Sequence, residues 1–181
     1  MTPDGYTIEE LRPEHAPALA AAYAANREHL APWDPTRTEA FYTVAGQQAA
    51  VDGQLAAVQR GTAFAWVLVR GDEVVGRVNL NNVVLGVLRS ASVGYWVGAD
   101  HTGRGLASTA VRFACDQGRA RGLHRVEAGT LVHNTASQRV LERTGFTQYG
   151  LAPSFLFIAG RWQDHLLFQR ILHDEPPGDG A

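Results

Sequence analysis

The stretch His101-Thr-Gly-Arg-Gly-Leu-Ala-Ser108 decides the fold, because it joins a predicted strand directly to a predicted helix. Its glycines at 103 and 105 allow the backbone to turn with its N–H groups facing inward, without side chains in the way. The helix that begins after them adds unpaired N–H groups and the positive end of its dipole. These groups together predict an anion site suited to a pyrophosphate.

The segments on either side of this loop change their pattern. Upstream, the sequence predicts a strand over Thr7–Arg12, helices over Pro13–Leu30 and Arg37–Arg60, a hairpin of Thr62–Val69 and Val74–Asn82, and a strand over Ser92–Val97. Downstream it predicts a helix over Leu106–Arg121, a strand over Arg125–Leu131, a helix over Thr135–Arg143, an extended segment over Phe146–Ile158 and a last strand over Gln163–Ile171. This order indicates a mixed α/β domain, with an antiparallel meander, one β-α-β crossover and a terminal hairpin.

The second predicted helix carries the clearest periodicity in the chain. Its apolar side chains recur at steps of three, four and seven residues, at Phe41, Val44, Val51, Leu55 and Val58. That spacing predicts one buried face.

A dinucleotide-binding fold is the other fold that a strand–glycine loop–helix unit suits. Glu127 lies at a tolerable distance downstream for such a fold. The position of the loop disfavours it, because a dinucleotide loop follows the first strand of a parallel sheet and this one follows an antiparallel meander.

Composition bounds the class of protein. The 181 residues are 45% hydrophobic and 19% charged, enough for a solvated domain with its own core. We expect one domain over residues 1–173 and a disordered acidic tail over 174–181, which is rich in proline and glycine. The net charge of −2 gives no indication of a nucleic-acid surface.

The cysteine and histidine content argues against an intrachain disulfide and against a metal site. The single cysteine, Cys115, cannot form an intrachain disulfide or a cysteine-based zinc cluster. The histidines at 101, 124 and 133 have no metal-ligand spacing, so we predict no metal site. The sequence has no apolar run long enough for a membrane span and no signal-peptide pattern at its start, so we expect a cytoplasmic protein with no membrane partner.

The loop and several further motifs resemble those of the GNAT acyl-CoA N-acyltransferases, in particular the branch of ribosomal-protein N-terminal acetyltransferases called RimJ and RimL. Thr102-Gly-Arg-Gly-Leu-Ala107 is similar to the pyrophosphate loop of that family, although Thr102 stands where glutamine or arginine is usual. The other matching motifs are Asn26-Arg-Glu-His-Leu-Ala-Pro-Trp33, Gly94-Tyr-Trp-Val97, Arg125-Val-Glu-Ala128, Asn134-x-x-Ser137, Arg139-Val-Leu-Glu-Arg-Thr-Gly-Phe146 and Gly160-Arg-Trp-Gln-Asp-His165.

The resemblance implies a GNAT fold, with a mostly antiparallel sheet, one parallel crossover at a splayed strand pair, and helices on both faces. It implies acetyl-CoA as the donor and direct transfer of acetyl to a primary amine, which we expect to be the N-terminal α-amine of a ribosomal protein. A small-molecule amine such as an antibiotic, polyamine or amino-acid derivative is the alternative acceptor. A CoA-binding protein without turnover is a further alternative, and a homodimer is possible.

The residues assigned to acetyl-CoA follow the loop and the matching motifs. They are Trp96, Val97, Thr102, Gly103, Arg104, Gly105, Leu106, Ala107, Ser108, Asn134, Ser137 and Arg139. A backbone N–H near Val97 is expected to stabilise negative charge on the carbonyl oxygen. Asn134 also fits a plain helix N-cap.

Two residues are assigned catalytic roles. The resemblance implies that Ser137 protonates the leaving thiolate, because Leu141 stands where many relatives carry a tyrosine. Glu127 is the candidate base, directly or through a water, since an amine must lose a proton before it attacks. The alternative for Glu127 is an ion pair with Arg125 or Arg77.

The acceptor site is assigned to Asn26, Arg27, Trp33 and Asn81. We expect the junction of the first two helices to form one wall of the acceptor cleft, with Trp33 held between two prolines. Packing of Trp33 in the core is the alternative.

Overall fold

One seven-stranded sheet organises the computed structural model, which describes residues 2, 3 and 5–176. The strands are β1 (Thr7–Glu10), β2 (Ala63–Arg70), β3 (Glu73–Val84), β4 (Ser90–Val97), β5 (Arg125–Leu131), β6 (Thr147–Ile158) and β7 (Arg161–Ile171). They lie in the order β1-β2-β3-β4-β5-β7-β6, and β4 with β5 is the parallel pair. The predicted mixed α/β class and the single parallel crossover are confirmed.

Helices cover both faces of the sheet. They are α1 (Ala16–Ala25), α2 (Arg27–Leu30), α3 (Val44–Gln59), α4 (Leu106–Ala120) and α5 (Thr135–Arg143). On one face, α4 and α5 pack on a core that includes Leu80, Val126 and Phe168. On the other face, α1 and α3 pack on Val67 and Val69 of β2. Each layer buries alternate residues of the same strands, as the pleat requires.

The first two predicted helices differ from the structure at their ends. The helix predicted from Pro13 to Leu30 begins with a 3-10 turn and is interrupted at Asn26, whose ψ of 14° leaves the helical region. The helix predicted from Arg37 begins only at Val44, because the Thr43 side chain accepts a hydrogen bond from the Gly46 N–H at 3.1 Å and caps the helix there. Val44 is consequently exposed, contrary to the predicted apolar stripe.

The parallel pair positions the site. β4 and β5 are paired at only three positions, from Ser90 with Arg125 to Ser92 with Glu127, and the two strands separate beyond that point. The predicted splay is therefore present, and it leaves one edge of β4 open up to Val97.

None of the helices in the described ranges is long and apolar enough to cross a bilayer. Residues 174–176 lie outside helices and strands, and residues 177–181 of the predicted tail lie outside the described residues. The domain boundary at residue 173 and the disorder of the tail stay predictions.

Candidate active site

The loop after β4 presents a row of free backbone donors. Gly103 and Gly105 have φ values of +73° and +77°, a left-handed conformation that favours glycine. Among the described residues, no protein group accepts a hydrogen bond from the N–H groups of residues 103–108, since the first bond of α4 runs from the Thr109 N–H to the Gly105 carbonyl. A Cβ added at either glycine would meet no protein atom within 4 Å. The loop therefore encloses open space lined by N–H groups, as an anion site requires.

The open edge of β4 supplies further donors. The Gly98 N–H donates to the Val75 carbonyl at 2.8 Å, so Val97 and its partner Gly76 form a non-hydrogen-bonded pair. The N–H and C=O of Val97 consequently point away from β3, into the splay. Tyr95, two residues earlier, has the same orientation.

A cavity of about 490 Å³ connects the loop, the open strand edge and the start of α5. Its lining residues are His29, Leu30, Trp33, Tyr95, Trp96, Val97, His101, Thr102, Gly103, Gly105, Leu106, Ala107, Ser108, Asn134, Ala136, Ser137, Val140 and Arg143. The structure thus brings ten of the twelve residues assigned to acetyl-CoA to one cavity. Arg104 and Arg139 are the two that do not line it, and both are exposed.

The start of α5 places two hydroxyl groups in this cavity. The Asn134 side chain accepts from the Ser137 N–H at 3.1 Å, so Asn134 is a helix N-cap that also lines the cavity. The Tyr95 hydroxyl lies 2.8 Å from the Ser137 hydroxyl. Burial raises the pKa of Tyr95 to about 12, with the Ser137 hydrogen bond opposing the shift. Tyr95 is therefore a neutral hydroxyl near neutral pH.

Glu127 does not reach this cavity. Its carboxylate accepts from Arg125 at 2.6 Å and from the Tyr149 hydroxyl at 2.7 Å. It is paired with Ser92, five residues before Val97, which corresponds to roughly 16 Å along the strand. Glu127 therefore forms the ion pair with Arg125 that was the alternative to a catalytic role. Its position gives no support to a role as the base.

The four residues assigned to the acceptor separate into different places. Trp33 lines the cavity and is 38% exposed, so it is not a core residue. The centroid of its ring lies 5.6 Å from the centroid of the His133 ring. Asn26 binds the loop instead, accepting from the Ala99 N–H at 2.8 Å.

The other two acceptor residues lie elsewhere in the fold. Arg27 pairs with Glu39 and lies over the Tyr42 ring, beside a separate cavity of about 200 Å³. Asn81 accepts from Gln54 on α3 and does not line the larger cavity.

Sequence reasoning missed four polar residues that line the cavity, His29, Tyr95, His101 and Arg143. His29 and Tyr95 lie within motifs that were recognised, but their contacts are with segments distant in sequence. The imidazole Nε2 of His29 lies 3.2 Å from the carbonyl oxygen of Val97, at the mouth of the splay.

Comparison with known proteins identifies the family and several relatives. A family model described as an acetyltransferase (GNAT) domain matches residues 6–147. The ribosomal protein uS5-alanine N-acetyltransferase of Escherichia coli K12 is 34% identical over 181 residues, covering 98% of this chain and 93% of the relative.

Two solved structures are similar throughout. The ribosomal-protein-S5-alanine acetyltransferase of Vibrio fischeri superposes with a TM-score of 0.92 at 30% identity, covering 98% of each chain. Mycobacterium smegmatis RimJ in complex with CoA-disulfide superposes with a TM-score of 0.87 at 33% identity, covering 92% of this chain and 81% of that one.

Proposed function

The chain belongs to the GNAT acetyltransferase family, and we propose that it transfers the acetyl group of acetyl-CoA to the N-terminal α-amine of a ribosomal protein. The observation that carries this proposal is the splay between β4 and β5, with free N–H groups along one strand edge and in the adjoining loop. Such an opening can hold a long donor with a diphosphate in the loop and amides beside the strand.

The cavity fits acetyl-CoA, which supplies a thioester carbonyl and a thiolate leaving group. The N–H groups of residues 103–108 would hold the pyrophosphate, with the dipole of α4 favouring its charge. The open edge of β4 would pair with the pantetheine amides in the manner of an added strand. The Val97 N–H would donate to the carbonyl oxygen as negative charge develops there.

We propose that the Ser137 hydroxyl returns a proton to the leaving sulfur. It lines the cavity at the N-terminus of α5, where its own N–H is already occupied by Asn134. Its hydroxyl oxygen lies 2.8 Å from the Tyr95 hydroxyl oxygen, and either group can donate. A hydroxyl in this position can give its proton to the sulfur while receiving one from the amine nitrogen, so that it does not remain ionised.

A protein N-terminus is favoured as the acceptor by the surface around the opening. Trp33 is exposed on one side of it. The β6–β7 hairpin extends beyond the end of β5, and its Phe155, Phe157 and Trp162 are each about half exposed or more. Apolar surface of this kind is typical of a site that binds a polypeptide. The relatives named for acetylation of ribosomal protein alanine point the same way.

The test is an acceptor screen with acetyl-CoA, read by thiol release and by mass spectrometry. The acceptors are peptides with ribosomal-protein N-termini that begin with alanine, the same peptides with a blocked α-amine, and a set of polyamines and aminoglycosides. We expect acetylation of the free peptides at the α-amine only. Because this chain contains no lysine, its own side chains contribute no acetylated amine to the spectra.

Two other results would contradict the proposal. Turnover of small amines without turnover of peptides assigns the alternative acceptor class. CoA binding without turnover of any amine assigns a non-catalytic CoA-binding protein.

A further inference from the structure

We propose that His29 is the catalytic base that takes a proton from the acceptor amine. This inference rests on the proposed acetylation of an amine, for which Glu127 lies too far from the cavity. His29 is half-buried on α2, lines the cavity, and is the histidine that contacts the open edge of β4, through the Val97 carbonyl at 3.2 Å.

The contact with Val97 fixes where the imidazole lies. The N–H of Val97 is the proposed donor to the reacting carbonyl oxygen, and its C=O lies on the same open edge of the strand. A ring bonded to that C=O is therefore about one residue length from the reacting carbonyl, roughly 3–4 Å along the strand. The acceptor amine has to approach within that distance to attack.

The same contact fixes which nitrogen is free. A carbonyl oxygen only accepts hydrogen bonds, so Nε2 carries the proton and the lone pair is on Nδ1. The lone pair on Nδ1 can accept a proton, and an α-amine with a pKa near 8 reaches the site mostly as an ammonium ion. Protonation of Nδ1 also strengthens the bond from Nε2–H to Val97, because charged donors form stronger hydrogen bonds.

The proton balance closes with groups already in the cavity. Nδ1 of His29 takes one proton from the ammonium group, and the freed lone pair forms the new C–N bond. The C–S bond breaks, and the second amine proton reaches the sulfur through the Ser137 hydroxyl. The proton on His29 then leaves to solvent, so that amide, thiol and one proton are the products.

The neighbouring titratable and charged groups do not offer the same chemistry. They are Arg27 and Glu28 on α2, Tyr95 on β4, Asp100, His101 and Arg104 in the loop after β4, His133 beside Trp33, and Arg143 at the end of α5. His101, the other histidine lining the cavity, is held by the Tyr6 hydroxyl at 3.0 Å and lies 3.7 Å from Glu73. Glu28, Asp100 and His133 do not line the cavity. Arginine is not a base under these conditions.

The substitution His29→Gln distinguishes a role of His29 as base from a purely structural role. A glutamine amide can still donate a hydrogen bond to the Val97 carbonyl, but it cannot take a proton from the amine. We expect kcat at pH 7 to fall by about 100-fold, and the deficit to narrow at pH 9.5, where the acceptor amine is already uncharged. CoA affinity by calorimetry and the melting temperature should stay as in the wild type. His29→Ala should lose as much activity and regain part of it when imidazole is added.

His124→Gln is the matched control. The His124 ring also bonds a backbone carbonyl, that of His173 at 2.7 Å, but at the other end of β5, so full activity is expected.

Wild-type activity of His29→Gln at pH 7 would overturn the proposal. An equal deficit at both pH values, without imidazole rescue of His29→Ala, would also overturn it. If His29→Gln does not fold, the rescue experiment decides. Each assay uses whichever amine the wild type acetylates. A failure of ribosomal peptides as acceptors is therefore distinguished from a failure of the proposal for His29.

Discussion

Tyr95 and Ser137 present two hydroxyl groups 2.8 Å apart, and only one of them can usefully donate to the other. If the Tyr95 O–H donates to the Ser137 oxygen, the Ser137 proton is free to point at the sulfur. The phenol is the more acidic of the two hydroxyls and therefore the better donor, and its other acceptor, the Ser137 carbonyl, is farther away at 3.3 Å. Burial raises the pKa of Tyr95 to about 12 and keeps that proton in place near neutral pH. We therefore expect Tyr95 to act as a positioning residue for Ser137 in the proposed transfer.

A double-mutant cycle tests this pair. Ser137→Ala should lower kcat by about 10- to 1000-fold and Tyr95→Phe by about tenfold, the value of one hydrogen bond. The double variant should be no slower than Ser137→Ala, since Tyr95 acts through the serine. The KM for acetyl-CoA should not change, and the deficit of Tyr95→Phe should be constant from pH 6 to 9, because Tyr95 stays protonated throughout.

Tyr149→Phe is the control for removal of a tyrosine hydroxyl, since Tyr149 bonds Glu127 away from the cavity, and it should keep full activity. Additive losses of Ser137→Ala and Tyr95→Phe would contradict the positioning role. A parallel loss of CoA affinity in Ser137→Ala would make Ser137 a binding residue.

Some of these residues could be predicted from the sequence, and others could not. Ser137 was assigned through the family resemblance, and the motif that carries this assignment, Asn134-x-x-Ser137, lies within one segment at the start of α5. The contact of Tyr95 with Ser137 spans 42 residues, and that of His29 with Val97 spans 68. No periodicity or spacing within one segment encodes such contacts, which arise only when β4, α2 and α5 meet.

The bounds of helices and strands were predicted correctly where a local signal sets them and wrongly where a local cap overrides the apolar spacing. The bounds of β5 and α5 were predicted to the residue, because Asn134 caps the helix and Gly122 reverses the chain before the strand. The start of α3 was misplaced because the apolar spacing from Phe41 to Val58 continues through a 3-10 turn, and the Thr43 cap overrides it.

The loop before α4 gives the sharpest test of donor binding. In Gly105→Val, the new side chain would enter the open space beside the N–H groups and strain a φ of +77°. We expect CoA affinity to fall at least tenfold by calorimetry, equivalent to 1.4 kcal/mol or more, and acetyl transfer to fall with it.

Gly61→Val controls for the backbone strain. Gly61 has a φ of +73° and no atom within 4 Å of an added Cβ, but it follows α3, away from the cavity. It should lose stability to a similar extent and keep its CoA affinity. Unchanged CoA affinity in Gly105→Val, or an equal loss in Gly61→Val, would contradict the assignment of this loop.

The distribution of apolar surface over the whole protein distinguishes its two ends. At the Leu131 end of β5, where the sheet opens, the hairpin of β6 and β7 extends outward with Phe157 facing Trp162 across the strands. Trp162 is 63% exposed there. At the other end, Val87 lies in the loop between β3 and β4 and is 93% exposed. An acceptor protein with its N-terminus in the cavity would extend over the first surface and not over the second.

Trp162→Ala should therefore discriminate between acceptors by length. A folded ribosomal protein or a peptide of about 20 residues would lose the hairpin contact, and its kcat/KM should fall about tenfold, as for an exposed aromatic residue at an interface. A tetrapeptide that fills only the cavity should be acetylated at the wild-type rate, and Val87→Ala should affect neither acceptor. Equal loss for long and short acceptors would show that Trp162 acts on the fold, and no loss for either would exclude the hairpin from the acceptor surface. Measurement of kcat/KM for both lengths on each variant, with the melting temperature as a check, separates these results.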